Sequence, residues 1–251
     1  EKQYSDIFST VQILVAMTPN RIKYMANTTA DLFNKDFAFE WQNPNDNKVV
    51  RNWNTFADMF LSIPMAHQMS TLFTILDGTK NKQMLKVMRP YQVYATKAVL
   101  NELKRADFDL PINKLGYVWH TTGSGKTITS FKTAWLASRM PNVDKVVFVV
   151  DRIALTKQTE ANYKAYDPEG SIDIDGKQFD TIGGTENTSA LKKKLNEKGY
   201  GIIVTSVQKL NTLINRKDFV VPKKNFVFIV DEAHRSTGGE SFEDLQKVFK
   251  G

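Results

Sequence analysis

Few backbone arrangements accommodate the stretch Tyr117-Val118-Trp119-His120-Thr121-Thr122-Gly123-Ser124-Gly125-Lys126-Thr127. An apolar run ends at His120, and a short polar loop with two glycines follows. Ile128, Phe131, Ala134 and Trp135 then recur at helical spacing until Pro141. The pattern predicts a strand, a tight loop and a helix. Glycines reach positive φ and let backbone N–H groups crowd around an anion, and the positive end of the new helix faces that anion. Gly123, Ser124, Gly125, Lys126 and Thr127 therefore predict a phosphate-cradling loop. The Lys126 ammonium would reach β- and γ-phosphates, and the Thr127 hydroxyl would ligate Mg²⁺. The strict pattern wants glycine five residues before Gly125. His120 stands there, and Gly123 partly replaces it. The plain alternative is a Gly/Ser turn between a strand and a helix.

A second stretch favours the phosphate reading. Phe226-Val227-Phe228-Ile229-Val230 is a continuous apolar run ending in Asp231-Glu232-Ala233-His234. Uninterrupted apolar runs mark buried parallel strands, and ligands bind beyond the carboxyl ends of such strands. Asp231 is thus expected near the Thr127 side of the loop, where it can hold Mg²⁺ through its water shell. Glu232 can orient and deprotonate an attacking water. The alternative is a helix start whose dipole favours two acids.

The chain has 251 residues, enough for one large domain or two modest ones. Its hydrophobic fraction of 41% and charged fraction of 24% suit a globular protein with a real core. The net charge of +7 suits a polyanionic partner without proving one. With no cysteine, disulfides and thiolate metal sites are excluded, and a cytoplasmic location is expected. No apolar run approaches a membrane span, and the first residues carry no signal-peptide pattern. The missing initiator Met and the mid-pattern finish at Phe249-Lys250-Gly251 predict a piece of a longer protein.

Taken in order, the apolar residues from Ile7 to Ala16, the Thr18-Pro19-Asn20 turn signal and the run Ile22 to Met25 predict a hairpin. Phe37 to Trp41 alternates and reads as a strand. Phe56–Leu61 and Met65–Leu76 read as helices divided by Pro64, and Asp77 to Lys82 reads as a loop or linker. A domain boundary is expected between that loop and Arg89, giving parts 1–87 and 88–251. Asp46-Asn47-Lys48 has the Asp-x-Lys spacing of metal-dependent nucleases but sits among turn formers and reads as a turn. Asp175-Gly176-Lys177 reads the same way. His67 has no metal-ligand companion at useful spacing.

In the second part, Pro90 opens a helix with an apolar face of Tyr91, Tyr94, Ala95, Ala98, Val99 and Leu103. Gln92, with Arg89 beside it, is a candidate for bidentate pairing with an adenine edge. A surface glutamine at a helix start is the alternative. Lys145 to Val150 and Gly201 to Ser206 read as buried strands. Arg152, Leu155 and Gln158 lie on a following loop and helix. Thr181 to Thr185 reads as a loop, and Ser189 to Lys198 as a helix closed by Gly199. Lys192 to Lys194 reads as a solvated face. Thr205, Ser206 and Gln208, at a strand's carboxyl end, are candidates for nucleic-acid phosphates. They could equally cap the next helix. Alternating strands and helices with continuous apolar strands predict an α/β fold with a parallel sheet.

The motif order is Arg89-Pro90-Tyr91-Gln92, then His120 to Thr127, then Val150-Asp151-Arg152 with Leu155 and Gln158. Val204 to Leu210 and Val230-Asp231-Glu232-Ala233-His234-Arg235-Ser236 follow. This resembles the first RecA-like domain of superfamily 2 helicases and translocases, and more closely the R subunit of type I restriction enzymes. The His120-Thr121-Thr122 lead-in is similar to that subgroup. Residues 1–87 look like the closing part of that family's nuclease-type α+β domain. The resemblance implies a subunit that hydrolyses ATP with Mg²⁺ to pull duplex DNA and cut it, together with methyltransferase (M) and specificity (S) subunits. It implies Lys126, Asp231 and Glu232 as catalytic residues, and His234 as a coupler of the nucleotide site to DNA. It further implies that the nuclease residues, the second motor domain and its arginine finger lie outside this sequence, so that the isolated chain hydrolyses ATP barely. The rival readings are a helicase without nuclease, a non-hydrolysing nucleic-acid-binding module and, more remotely, a nucleotide kinase.

Overall fold

A computed structural model describes residues 8–79, 83–110, 116–151, 153–167, 171–172, 178–179, 182–199, 201–233 and 248–249. The backbone divides into two compact units. The first is Glu1–Lys97 with Tyr166–Pro168, and the second is Ala98–Ala165 with Glu169–Gly251. The division falls inside a helix, further along the chain than residue 87.

In the first unit, β1 (Ile13–Thr18) and β2 (Arg21–Ala26) form the expected antiparallel hairpin. The Phe37–Trp41 stretch is not a strand. It gives a 3-10 turn at Lys35–Phe37 and an isolated bridge from Phe39 to Tyr24. Asn34 causes the departure by accepting from the Asp36 N–H, a local bond that competes with a ladder. α1 (Trp53–Phe56) runs on as a π-helical turn, Ala57–Leu61, and α2 covers Met65–Thr71. The helix expected to reach Leu76 stops early. Thr71 and Ser70 hydroxyls bond back to the His67 carbonyl, and Thr74–Asp77 becomes β3, antiparallel to β4 (Met84–Val87). The Asp77 carboxylate fastens this pair by accepting from the Thr79 N–H at 3.0 Å and from the Lys86 ammonium. The core is aromatic: Tyr24, Trp41 and Phe60 have ring centroids 4.9 to 5.8 Å apart, and Phe56 stacks on Phe60. Asp46 does form a turn, accepting from the Lys48 N–H at 3.0 Å, with Asn47 at φ 57°. Asp175 and Lys177 lie outside the described residues.

α3 (Pro90–Arg105) follows. Gln92 is buried, 3% exposed, and its side-chain carbonyl accepts from the Arg89 N–H at 2.8 Å. The Arg89 guanidinium lies over the Phe39 ring and donates to the Tyr91 hydroxyl.

The second unit holds a four-stranded sheet with strand order β10 (Phe226–Val230), β5 (Lys145–Val150), β9 (Ile202–Ser206) and β8 (Ile182–Gly184). All neighbouring pairs are parallel, so the mixed α/β class with a parallel sheet holds. β5 and β9 are buried throughout, as their apolar runs predict. β8 was expected as a loop. Its two glycines mask the strand signal, because glycine offers no side chain to pack and is depleted from strands. A two-residue ladder joins β6 (Ser171–Ile172) to β7 (Gln178–Phe179). One face of the sheet packs Val147, Val149 and Ile203 against α6 (Thr188–Asn196) and α7 (Val207–Ile214) through Leu191, Leu195, Leu210 and Leu213. On the other face, Phe148 and Phe131 meet the Tyr163 ring at 5.0 and 5.2 Å. Phe131 belongs to α4 (Lys126–Ala137) and Tyr163 to α5 (Ile153–Tyr166).

The strand expected at Tyr117 to His120 is absent. Residues 116–120 pair with no described strand, and Tyr117 and Trp119 are 89% and 82% exposed. Strand propensity expresses itself only where a neighbour supplies a ladder and covers the faces.

Candidate nucleotide site

The loop after His120 closes on itself. The Ser124 N–H donates to the Thr121 carbonyl at 3.2 Å with Gly123 at φ 77°, the positive value that the third position of a type II turn requires. Gly125 follows in the left-handed region, φ 80° and ψ 34°, and α4 starts at Lys126 with no side-chain cap. Its first N–H groups thus lie at the mouth of the loop. Thr127 occupies the first turn, and the Ser130 hydroxyl accepts from Tyr163 at 2.9 Å, joining α4 to α5.

Across from the loop, Asp231 extends β10 by donating its N–H to the Val149 carbonyl at 2.9 Å. Glu232 then turns sharply at φ 52°, and its N–H donates to the Asp231 carboxylate at 3.0 Å. Lys126 meets both acids: its ammonium donates to Glu232 Oε1 and lies 3.3 Å from Asp231 Oδ1. Burial alone would lower the lysine's proton affinity. The Glu232 hydrogen bond and the Asp231 charge outweigh it and raise the pKa. Lys126, Asp231 and Glu232 are therefore brought together at the carboxyl end of the sheet.

His120 has a partner that no spacing rule anticipates. Its Nδ1 lies 2.9 Å from Ser124 Oγ, and that hydroxyl also donates to the Thr121 carbonyl at 2.7 Å. Burial first, and the Lys126 charge second, lower its pKa.

The nucleic-acid candidates fare differently. Thr205 and Ser206 are wholly buried. Thr205 shares a hydrogen bond with Thr185 at 3.1 Å, and Ser206 caps α7 by accepting from the Lys209 N–H. Ser206 thus fills the capping role that its position also allowed, while Thr205 bonds Thr185 inside the sheet. Gln208 is exposed and donates to the Asp151 carbonyl at 2.8 Å. Arg152 and His234 lie outside the described residues.

A glycine loop opens a helix and an acid pair lies opposite it on a parallel sheet, and the family model for SWI2/SNF2 ATPases matches residues 91–251. The endonuclease subunit of a type I restriction enzyme of Staphylococcus aureus is 32% identical over 253 residues, covering 100% of this chain and 25% of its own. A putative type I restriction enzyme endonuclease subunit, C-terminal part, of Mycoplasma pneumoniae is 36% identical over 83% of this chain and 99% of its own. The chain belongs to the type I restriction enzyme endonuclease subunits. It spans about a quarter of the length of the S. aureus relative. A nuclease-deletion mutant of the type ISP restriction-modification enzyme LlaGI, solved with a DNA substrate mimic, aligns over 64% of this chain and 16% of its own. Its identity is 23% and its TM-score 0.42.

Proposed function

We propose that this chain carries the ATP-hydrolysing centre of a restriction motor, the ATP-driven DNA translocase of a type I restriction–modification system. What supports the reading above all is the meeting of Lys126 with Asp231 and Glu232. Lys126 keeps its proton in this setting, so it serves as a fixed positive charge for β- and γ-phosphates. A phosphate competing for that ammonium would release the Glu232 carboxylate to take a proton from water, as a general base must. The left-handed turn and the Asp231 contact hold Glu232 in place before any such exchange.

Thr127 and Asp231 are the residues that would hold Mg²⁺. One hydroxyl and one carboxylate suit an ion that takes oxygen ligands, few carboxylates and several waters. Among the described residues no group of three His, Cys, Asp or Glu side chains converges as an all-protein cage. When bound, the ion would offset the charge of the transferring phosphoryl group.

In the whole protein the partners would be duplex DNA and the M and S subunits, and the place of work the cytoplasm. Among the described residues, no helix is long and apolar enough to cross a membrane. Gln208 would act near DNA by holding the backbone after β5. The test is ATP turnover by the full-length subunit, wild type against Glu232→Gln, with duplex DNA and partner subunits added or withheld. Turnover that needs both and falls about 10²-fold or more in the variant supports the motor. Turnover driven by single strands without partners would move the reading to a helicase, and its absence under all conditions would leave a binding module.

A further inference from the structure

We propose that His120 is a positioning residue for the phosphate loop, acting as an Nδ1–H tautomer that holds Ser124. The inference rests on the nucleotide reading of this site and adds a residue to it. Ser124 Oγ lies 2.7 Å from the Thr121 carbonyl and 2.9 Å from His120 Nδ1. A carbonyl oxygen has no proton to give, so the single hydroxyl proton of Ser124 serves Thr121. The contact with the imidazole must then run the other way, with Nδ1–H donating to the serine oxygen.

Three bonds thereby close one short loop. His120 donates to Ser124 Oγ, Ser124 Oγ donates to the Thr121 carbonyl, and the Ser124 N–H donates to the same carbonyl at 3.2 Å. The ring is partly buried, while Tyr117 and Trp119 just before it are exposed and unpaired with any described strand. A strand entering the loop would fix its first residue by a ladder. Here the imidazole does that work, from the place where the strict pattern carries glycine. Gly123 and Gly125 supply the positive φ values, and His120 with Ser124 fixes the turn that leads to Lys126.

The experiment uses the 251-residue chain. Long-range ¹H–¹⁵N spectra of the wild type identify the His120 tautomer, its signals assigned by their loss in His120→Asn. Binding of ADP with Mg²⁺ is measured for the wild type and for His120→Ala, His120→Asn and His120→Gln. Asn carries an N–H donor near the place of Nδ1; Gln carries one nearer Nε2. The expected result is an Nδ1–H tautomer, about tenfold weaker binding in His120→Ala and His120→Gln, and recovery in His120→Asn. An Nε2–H tautomer, or undiminished binding in His120→Ala, would overturn the proposal. Should the wild type itself fail to bind ADP, the nucleotide reading falls, and the tautomer alone then decides the His120–Ser124 bond.

Discussion

Glu232 occupies a backbone region that residues other than glycine seldom enter, φ 52°. Such a conformation persists where its surroundings over-determine it, and these places concentrate at functional sites. Here Lys126 holds the carboxylate and Asp231 takes the N–H. The three residues were legible in the sequence because their chemistry dictates their types and because each follows a recognisable run. The His120–Ser124 bond was not, since four residues apart within a loop implies no contact as it does on a helix. His120 also makes a pH prediction. Burial and then the Lys126 charge lower its pKa in the folded chain. Unfolded, it takes a proton near 6.5. As pH falls through that value the unfolded chain gains a proton that the folded chain refuses, so stability declines with acidity. This contribution is complete above about pH 6.5 and is lost as pH falls through the folded pKa. Thermal unfolding followed on either side of that value should show a steeper acid decline for wild type than for His120→Asn. Equal declines in the two proteins would refute it.

At the scale of elements, periodicity located what was long and misjudged what was short. β5, β9 and β10, α3 and α4 stand where their patterns put them. The errors share a cause: local polar bonds or a missing neighbour overrode propensity. Serine and threonine hydroxyls close α2 at Thr71, glycines disguise β8, and Tyr117 to His120 finds no ladder. Ser206 shows how an element boundary can imitate a binding residue. A hydroxyl at a strand's carboxyl end suits either a phosphate or an N-cap, and only burial separates the two. Ser206→Ala should therefore cost about 1 kcal/mol, the usual loss of an N-cap, lowering Tm by about 2–4 °C. The salt dependence of DNA binding by the full-length subunit should stay the same, because no phosphate contact is removed. A flatter salt slope in the variant, with unchanged Tm, would return Ser206 to the DNA.

At the scale of the whole chain, the two compact units make a statement about where ligand energy goes. The glycine loop before α4, Asp231, Glu232 and the parallel sheet all lie in the second unit, while the β1–β2 hairpin and the aromatic cluster around Trp41 lie in the first. A ligand that binds only the folded state stabilises it by about 2.7 kcal/mol at a hundred times its Kd. That energy appears only in openings that destroy the site, since local unfolding proceeds in cooperative pieces. Hydrogen exchange with saturating ADP and Mg²⁺ should therefore slow the amides of β5, β10 and α4 by about 10²-fold. Amides of β1 and β2 should keep their rates, and Lys126→Ala should abolish the difference. Equal slowing in both units would mean that the chain opens as one cooperative body, so that the division seen in its contacts is no division in its stability. Slowing confined to the first unit would place the ligand away from Lys126 and overturn the site itself.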